Sequence, residues 1–89
     1  DCDFYEGSTD ADFSLSASAP ITIEEPCGLS PRTCCALAHE EGAYVFFVSV
    51  SGCCMLYKDG TLAYPFGLAP PVAASGLDAL GRGGVGVVV

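Results

Sequence analysis

The sequence predicts an α+β domain: one short helix packed on a small antiparallel β-sheet and stabilised by disulfides. Three observations predict it. Residues 30–42 carry the two ends of a helix, with Ser30 as N-cap, Pro31 at the first helical position and Gly42 just past the last turn. Residues 43–50, AYVFFVSV, and 53–58, CCMLYK, are dense in β-branched and aromatic side chains, as strands are. The chain has 89 residues and six cysteines, and a domain this small commonly needs covalent help to hold its core.

Each element has its own local signal. Asp1–Gly7 alternates Cys2 and Phe4 with Asp1, Asp3 and Tyr5, which predicts a strand with one inward face. Gly7–Asp10 reads as a turn. From Asp10 to Pro20, Phe13, Leu15 and Ala17 alternate with Ser14, Ser16 and Ser18, so a half-exposed strand is expected. Ile21–Glu25 is a further short strand, ended by Pro26. Within the helix, Cys35, Leu37 and Ala38 form the apolar stripe, and Arg32, Glu40 and Glu41 the polar face. Ser51-Gly52 separates two strands, and Asp59-Gly60 signals a tight hairpin into Thr61–Tyr64. Pro65, Pro70 and Pro71 exclude a central strand from 61–75. That segment is expected to lie irregularly over the core, anchored by Leu68 and Val72. Leu77–Leu80 has room for one helical turn. Gly81–Gly84 reads as a flexible hinge before Val85–Val89, so the chain divides into a disulfide-rich domain, 1–80, and a hinged apolar strand, 81–89.

Composition excludes several functions. The net charge is −8, with Arg32, Lys58 and Arg82 the only fixed cations, which argues against nucleic-acid and anionic-membrane partners. No membrane span is expected, because the uncharged runs are too short or broken by proline against the roughly 20 residues a span needs. An even number of cysteines predicts an oxidising, extracellular setting. The start at Asp1-Cys2 reads as a chain from which a leader was removed. Asparagine is absent, and with it N-glycosylation. Ser8, Thr9, Ser14, Ser16, Ser18 and Thr22 are candidate O-glycosylation sites in an exposed, Ser/Thr-rich stretch.

No catalytic, metal or cofactor site is predicted. His39 is the only histidine and sits near a helix end, where a solvent-facing role suffices. A Cys–His nucleophile needs a free thiol, against which the even count argues. The cysteines lack C-x-x-C spacing for zinc, and Asp1, Asp3, Glu6, Asp10 and Asp12 form no calcium loop. Disulfides are therefore expected at Cys2, Cys27, Cys34, Cys35, Cys53 and Cys54. Neighbours on a strand point to opposite faces, and neighbours on a helix lie about 100° apart. One member of each vicinal pair can thus join helix to sheet, leaving the others for partners elsewhere.

The acidic chain is nonetheless 51% hydrophobic, more than a lone small core requires. Residues 43–50 are apolar on both faces: Ala43, Val45 and Phe47 on one, Tyr44, Phe46, Val48 and Val50 on the other. The strand is either central to its own sheet or covered by another copy. Val85, Val87, Val88 and Val89 pose the same choice, and an uncharged valine strand is an aggregation hazard unless paired. Pairing with a neighbouring copy is the expectation for that strand. Tyr44, Phe46, Val48, Val50 and the four valines are accordingly the candidate self-assembly surface. The function expected from these residues is an extracellular structural protein that self-assembles into a filament or sheath.

The stretch from the helix to the second strand also resembles the PAN/apple module. That family's helix carries C-x-x-C, its next strand a third cysteine before an aromatic, and the strand after that a fourth within G-x-C-x-L. Cys35-Ala36-Leu37-Ala38, Ala43 with Phe46, and Gly52-Cys53-Cys54-Met55-Leu56 occupy these places, over about a third of the chain. Ala38 and Ala43 stand where the family usually bonds helix to strand, and both cysteines are missing together. No cysteine follows Cys54 to make the family's outer bond. The resemblance, with the inward Cys-x-Leu of Cys54-Met55-Leu56, implies a Cys35–Cys54 bond; Cys2, Cys27, Cys34 and Cys53 are left among three pairings. It also implies the alternative function, a secreted adhesion or recognition module that binds carbohydrate or protein. The doublets Cys34-Cys35 and Cys53-Cys54 are similar to those of hydrophobins, which are surface-active. The chain lacks the singlets that flank the second doublet in that family.

Overall fold

A computed structural model describes residues 1–13, 15, 20–58, 67 and 69–89. Strands β1 (Cys2–Glu6), β2 (Thr22–Glu24), β3 (Val45–Val48), β4 (Cys54–Tyr57), β5 (Val72–Ala73) and β6 (Gly84–Val88) form one antiparallel sheet in the order β2-β4-β3-β6-β1-β5. Helix α1 (Pro31–Glu41) packs on one face of it. The small disulfide-stabilised α+β fold expected from the sequence is therefore present. The Asp59-Gly60 hairpin with Thr61–Tyr64, the Leu68 anchor, and residues 14 and 16–19 of the expected 10–20 strand fall outside the described residues.

The helix is bounded by local chemistry. Ser30 Oγ accepts a hydrogen bond from the Thr33 amide at 3.2 Å, and Gly42, at φ 70°, donates its amide to the carbonyls of Ala38 and His39. Pro31, Cys34, Cys35 and Ala38 recur at helical spacing and are buried. Ser30→Ala removes the cap and should destabilise the domain by about 1 kcal/mol, read as a fall of a few degrees in Tm.

Two layers of apolar side chains flank the sheet. Under α1 lie Phe4, Phe46, Val48, Leu56 and Ala74, with Cys2, Cys35, Cys34 and Cys54 among them. On the opposite face Phe13 and Leu15 cover Val45, Tyr57 and Val85. Residue β3 positions thus alternate as expected, but both faces are covered by the chain itself. Phe13 and Leu15, from the segment expected to be half-exposed, supply part of that cover.

The valine strand differs most from expectation. β6 pairs with β1 on one side, Cys2 opposite Val88, and with β3 on the other, Val45 opposite Val87. Both of its edges are taken, so it belongs to its own sheet and has no edge to give a neighbour. The segment before it is not a loose hinge. Gly7 donates to the Gly83 carbonyl at 2.9 Å, and Arg82 Nη1 reaches both oxygens of Glu6, at 2.9 and 3.0 Å. Gly86 explains the fit. It sits between Phe4 and Phe46, whose rings stack 6.1 Å apart, and a Cβ there would collide with the Phe46 ring. The glycine makes room for an aromatic from the next strand. Val85 fills the second layer beside Val45 and Tyr57.

Two smaller expectations also change. Val72 is half exposed on β5, and Ala74 beside it is the buried contact. The helical turn falls at Ala74–Gly76, as a single 3-10 turn, rather than at 77–80. The proline rule accounts for β5: two residues long and directly after Pro70-Pro71, it lies at the sheet's edge.

Candidate functional site

The described residues converge on two features: a cysteine-laced interface inside the domain and an apolar row outside it. The interface comes first because it determines what chemistry the cysteines have left. Cys2, on β1, is bonded to Cys35 on α1, with Cα atoms 6.0 Å apart; Cys27 is bonded to Cys53, 4.3 Å apart. Cys34 and Cys54 are buried thiols. The Cys35–Cys54 bond is thus replaced by Cys2–Cys35. The reason is lateral position. Cys35 points toward β1, which lies on one side of the helix, and its neighbour Cys34 points toward β4 on the other.

A hydrogen bond with Cys34 and burial together push the Cys54 thiol far above its ordinary pKa, so while reduced in the packed domain it is a poor nucleophile or metal ligand. His39 is exposed, with Nε2 3.3 Å from the Asp1 carbonyl oxygen. It lies close to the sulfurs of Cys2 and Cys35, a grouping with metal-ligand geometry. Both of those sulfurs are tied up in their disulfide and offer no thiolate.

The apolar row is set by register. Ile23 on β2 lies opposite Met55 on β4, Met55 opposite Phe47 on β3, and Phe47 opposite Val85 on β6. Residues directly opposite share a face, so these side chains form a line across the sheet. Ile23 is 59% exposed and Ile21, two residues earlier, 45%; Met55 and Phe47 are half-buried. Beyond Phe47 the row opens into a cleft of about 300 Å³ lined by Gly7, Ser8, Thr9, Phe47, Ser49, Val50 and Gly83. Val50, at its rim, is 70% exposed. Among the described residues, β2 is hydrogen-bonded to β4 alone and forms one edge of the sheet.

Few of the sequence-predicted assembly residues reach this surface. Tyr44, Val50 and Val89 are exposed, but Phe46, Val48 and Val85 are fully buried, and Val87 and Val88 are half-buried within the sheet. Covering by α1 on one face and by Phe13 and Leu15 on the other is the physical reason. Ile21 and Ile23 were the missed residues, although the I-x-I alternation of ITIE signals two side chains on one face of a strand.

The glycosylation candidates separate as well. Ser8 is 3% exposed; its Oγ donates to the Tyr5 carbonyl at 2.6 Å and accepts from the Val85 amide at 3.0 Å, which leaves no room for a sugar. Thr9 is exposed and Thr22 half-buried, while Ser14, Ser16 and Ser18 lie outside the described residues. Among the described residues, no helix is long and apolar enough to cross a membrane. No protein-family model, curated protein or solved structure matches this chain.

Proposed function

We propose that this protein is an extracellular, non-enzymatic structural subunit that self-assembles, with the row from Ile23 through Met55 and Phe47 to the Val50 cleft as its contact surface. The observation that carries the reading is the pair Ile21 and Ile23, exposed together at the edge strand β2, Ile23 within it and Ile21 just before its first residue. Branched aliphatics on a strand that, among the described residues, is paired on one side alone favour addition of another strand and lose little by being covered. The two disulfides support an oxidising location. The contact differs from the one expected for the valine strand, which is already enclosed.

Charge opposes this association. Each copy carries −8 within extents of 29 × 25 × 22 Å. The screening length is about 30 Å at 0.01 M salt, as long as the molecule, and about 8 Å at 0.15 M. Assembly is therefore expected to grow with ionic strength. Light scattering after size-exclusion chromatography should show monomer at low salt and larger species at physiological salt, with ordered assemblies in the electron microscope. Ile23→Lys should abolish the larger species while leaving Tm within about 4 °C, because exposed substitutions seldom change stability by more than about 0.5 kcal/mol. The added lysine lowers the net negative charge, so greater repulsion cannot account for the loss. Unchanged assembly by Ile23→Lys would remove this surface from consideration.

A second reading rests on the cleft. Phe47 and Val50 offer apolar contact beside the hydroxyls of Thr9 and Ser49, a combination suited to carbohydrate or to an extracellular protein loop. The PAN/apple resemblance supports this recognition role. A chain that stays monomeric at all salt concentrations yet binds immobilised glycans would favour it.

A further inference from the structure

All six cysteines lie among the described residues, and four are used by the two disulfides. The remaining two are not scattered. Cys34 projects from α1 and Cys54 from the facing strand β4; both have 0% exposure and belong to one packed cluster. Of the groups around Cys54, Cys34 is the one that raises its pKa most. Among the described residues, neither sulfur joins a histidine or carboxylate in a group fit to hold a metal ion. For two thiols buried in one cluster, inside a domain whose other four cysteines are bonded, each is the evident covalent partner of the other.

We propose that Cys34 and Cys54 form a third disulfide, so that the vicinal pair Cys34-Cys35 bolts the helix to β4 on one side and to β1 on the other. The sheet order places β3 and β6 between those two strands. At about 4.8 Å per strand, β4 and β1 are roughly 14 Å apart, a little more than the diameter of a helix. The helix therefore lies over the central strands, and two adjacent cysteines about 100° apart reach outward to opposite flanks. One bond leaves the helix able to pivot about Cys35; two bonds on opposite sides remove that freedom.

The reaction balances as thiol–disulfide exchange with an external disulfide, either a small-molecule disulfide or an oxidoreductase. One thiolate of the pair attacks an external sulfur, forming a mixed disulfide and releasing one external thiolate. The second thiolate then attacks the protein sulfur of that mixed disulfide. The Cys34–Cys54 bond forms, the external disulfide is reduced to two thiols, and the two protons of the dithiol pass to them. In the packed domain both sulfurs are out of reach of such an oxidant. The exchange belongs to the stage before α1 docks, when the thiols are still exposed.

The test is thiol counting on the protein as purified, acid-quenched, then alkylated in denaturant without reductant. The expected result is no alkylated cysteine and an intact mass six hydrogens below that of the reduced chain. Two alkylated residues, at Cys34 and Cys54, would overturn the proposal. Partial reduction followed by peptide mapping supplies the pairing, and a bond from Cys34 to any cysteine other than Cys54 also overturns it. Cys34→Ala should expose one alkylatable thiol, located at Cys54; a thiol located at another cysteine counts against the pairing. Cys34→Ala/Cys54→Ala should again show none. The counts are read on denatured chains, so they hold even where a variant folds poorly.

Discussion

Gly86→Val should destabilise the domain more than any surface change, by about 3 kcal/mol or more, out of a total that for domains of this kind is about 5–15 kcal/mol. The first carbon of the new side chain meets the Phe46 ring, and that ring cannot retreat because Phe4 is stacked against it and α1 closes the layer above. Overpacking alone typically costs about 1–3 kcal/mol, and here it also forces apart the strands on either side of β6. Calorimetric Tm should fall by roughly 15 °C or more. Trimming the ring supplies the control. Phe46→Leu combined with Gly86→Ala should be less damaging than the sum of the two single changes, because each makes space or fills it for the other. Strict additivity, or a Gly86→Val chain that melts normally, would show that the aromatic slot is not what holds β6 in place.

Removing the Cys2–Cys35 bond should have an effect of similar size. The two cysteines are 33 residues apart in sequence, and the chain-entropy relation assigns such a loop about 4 kcal/mol. Cys2→Ala/Cys35→Ala also leaves α1 without its tie to β1, the strand on which the sheet's far side depends. A fall in Tm of roughly 15–30 °C is expected under non-reducing conditions. A fall below about 5 °C would mean that packing alone seats the helix and the bond merely decorates it.

How much of this was legible in the sequence depended on whether a feature was local. The helix ends were readable because Ser30, Pro31 and Gly42 act on their own turns. β1 to β4 were readable because side-chain type and alternation act within a few residues. Val85–Val89 was readable as a strand but not as a central one. Its partners, β1 and β3, are distant in sequence, and nothing in the five residues tells one's own edge from a neighbour's. Nothing in the sequence singles out Gly86, whose lack of a side chain is what admits Phe46. The vicinal cysteines carried a similar ambiguity. Which of Cys34 and Cys35 faces β1 depends on how the helix is rotated over the sheet, a property of the whole core. For the surface, composition showed an excess of apolar residues but not their location. The conspicuous valines turned out to be enclosed, and the less conspicuous Ile21 and Ile23 were left outside.

The central position of β6 also constrains the order in which the domain can assemble. β3 and β4 are separated by a short connection and can pair early, and β2, upstream of both, can join β4 without β6. β1 cannot be tied in by sheet bonding until β6 arrives, because β6 stands between it and β3. With Cys2 opposite Val88, the closing contacts span nearly the whole sequence, the kind of pairing that makes folding slow. Until then Phe4, Phe46 and both flanks of the sheet remain bare, and the nascent chain is most prone to aggregate. A bond between Cys2 and Cys35 formed in that interval would hold β1 near the helix and shorten the search for the last strand.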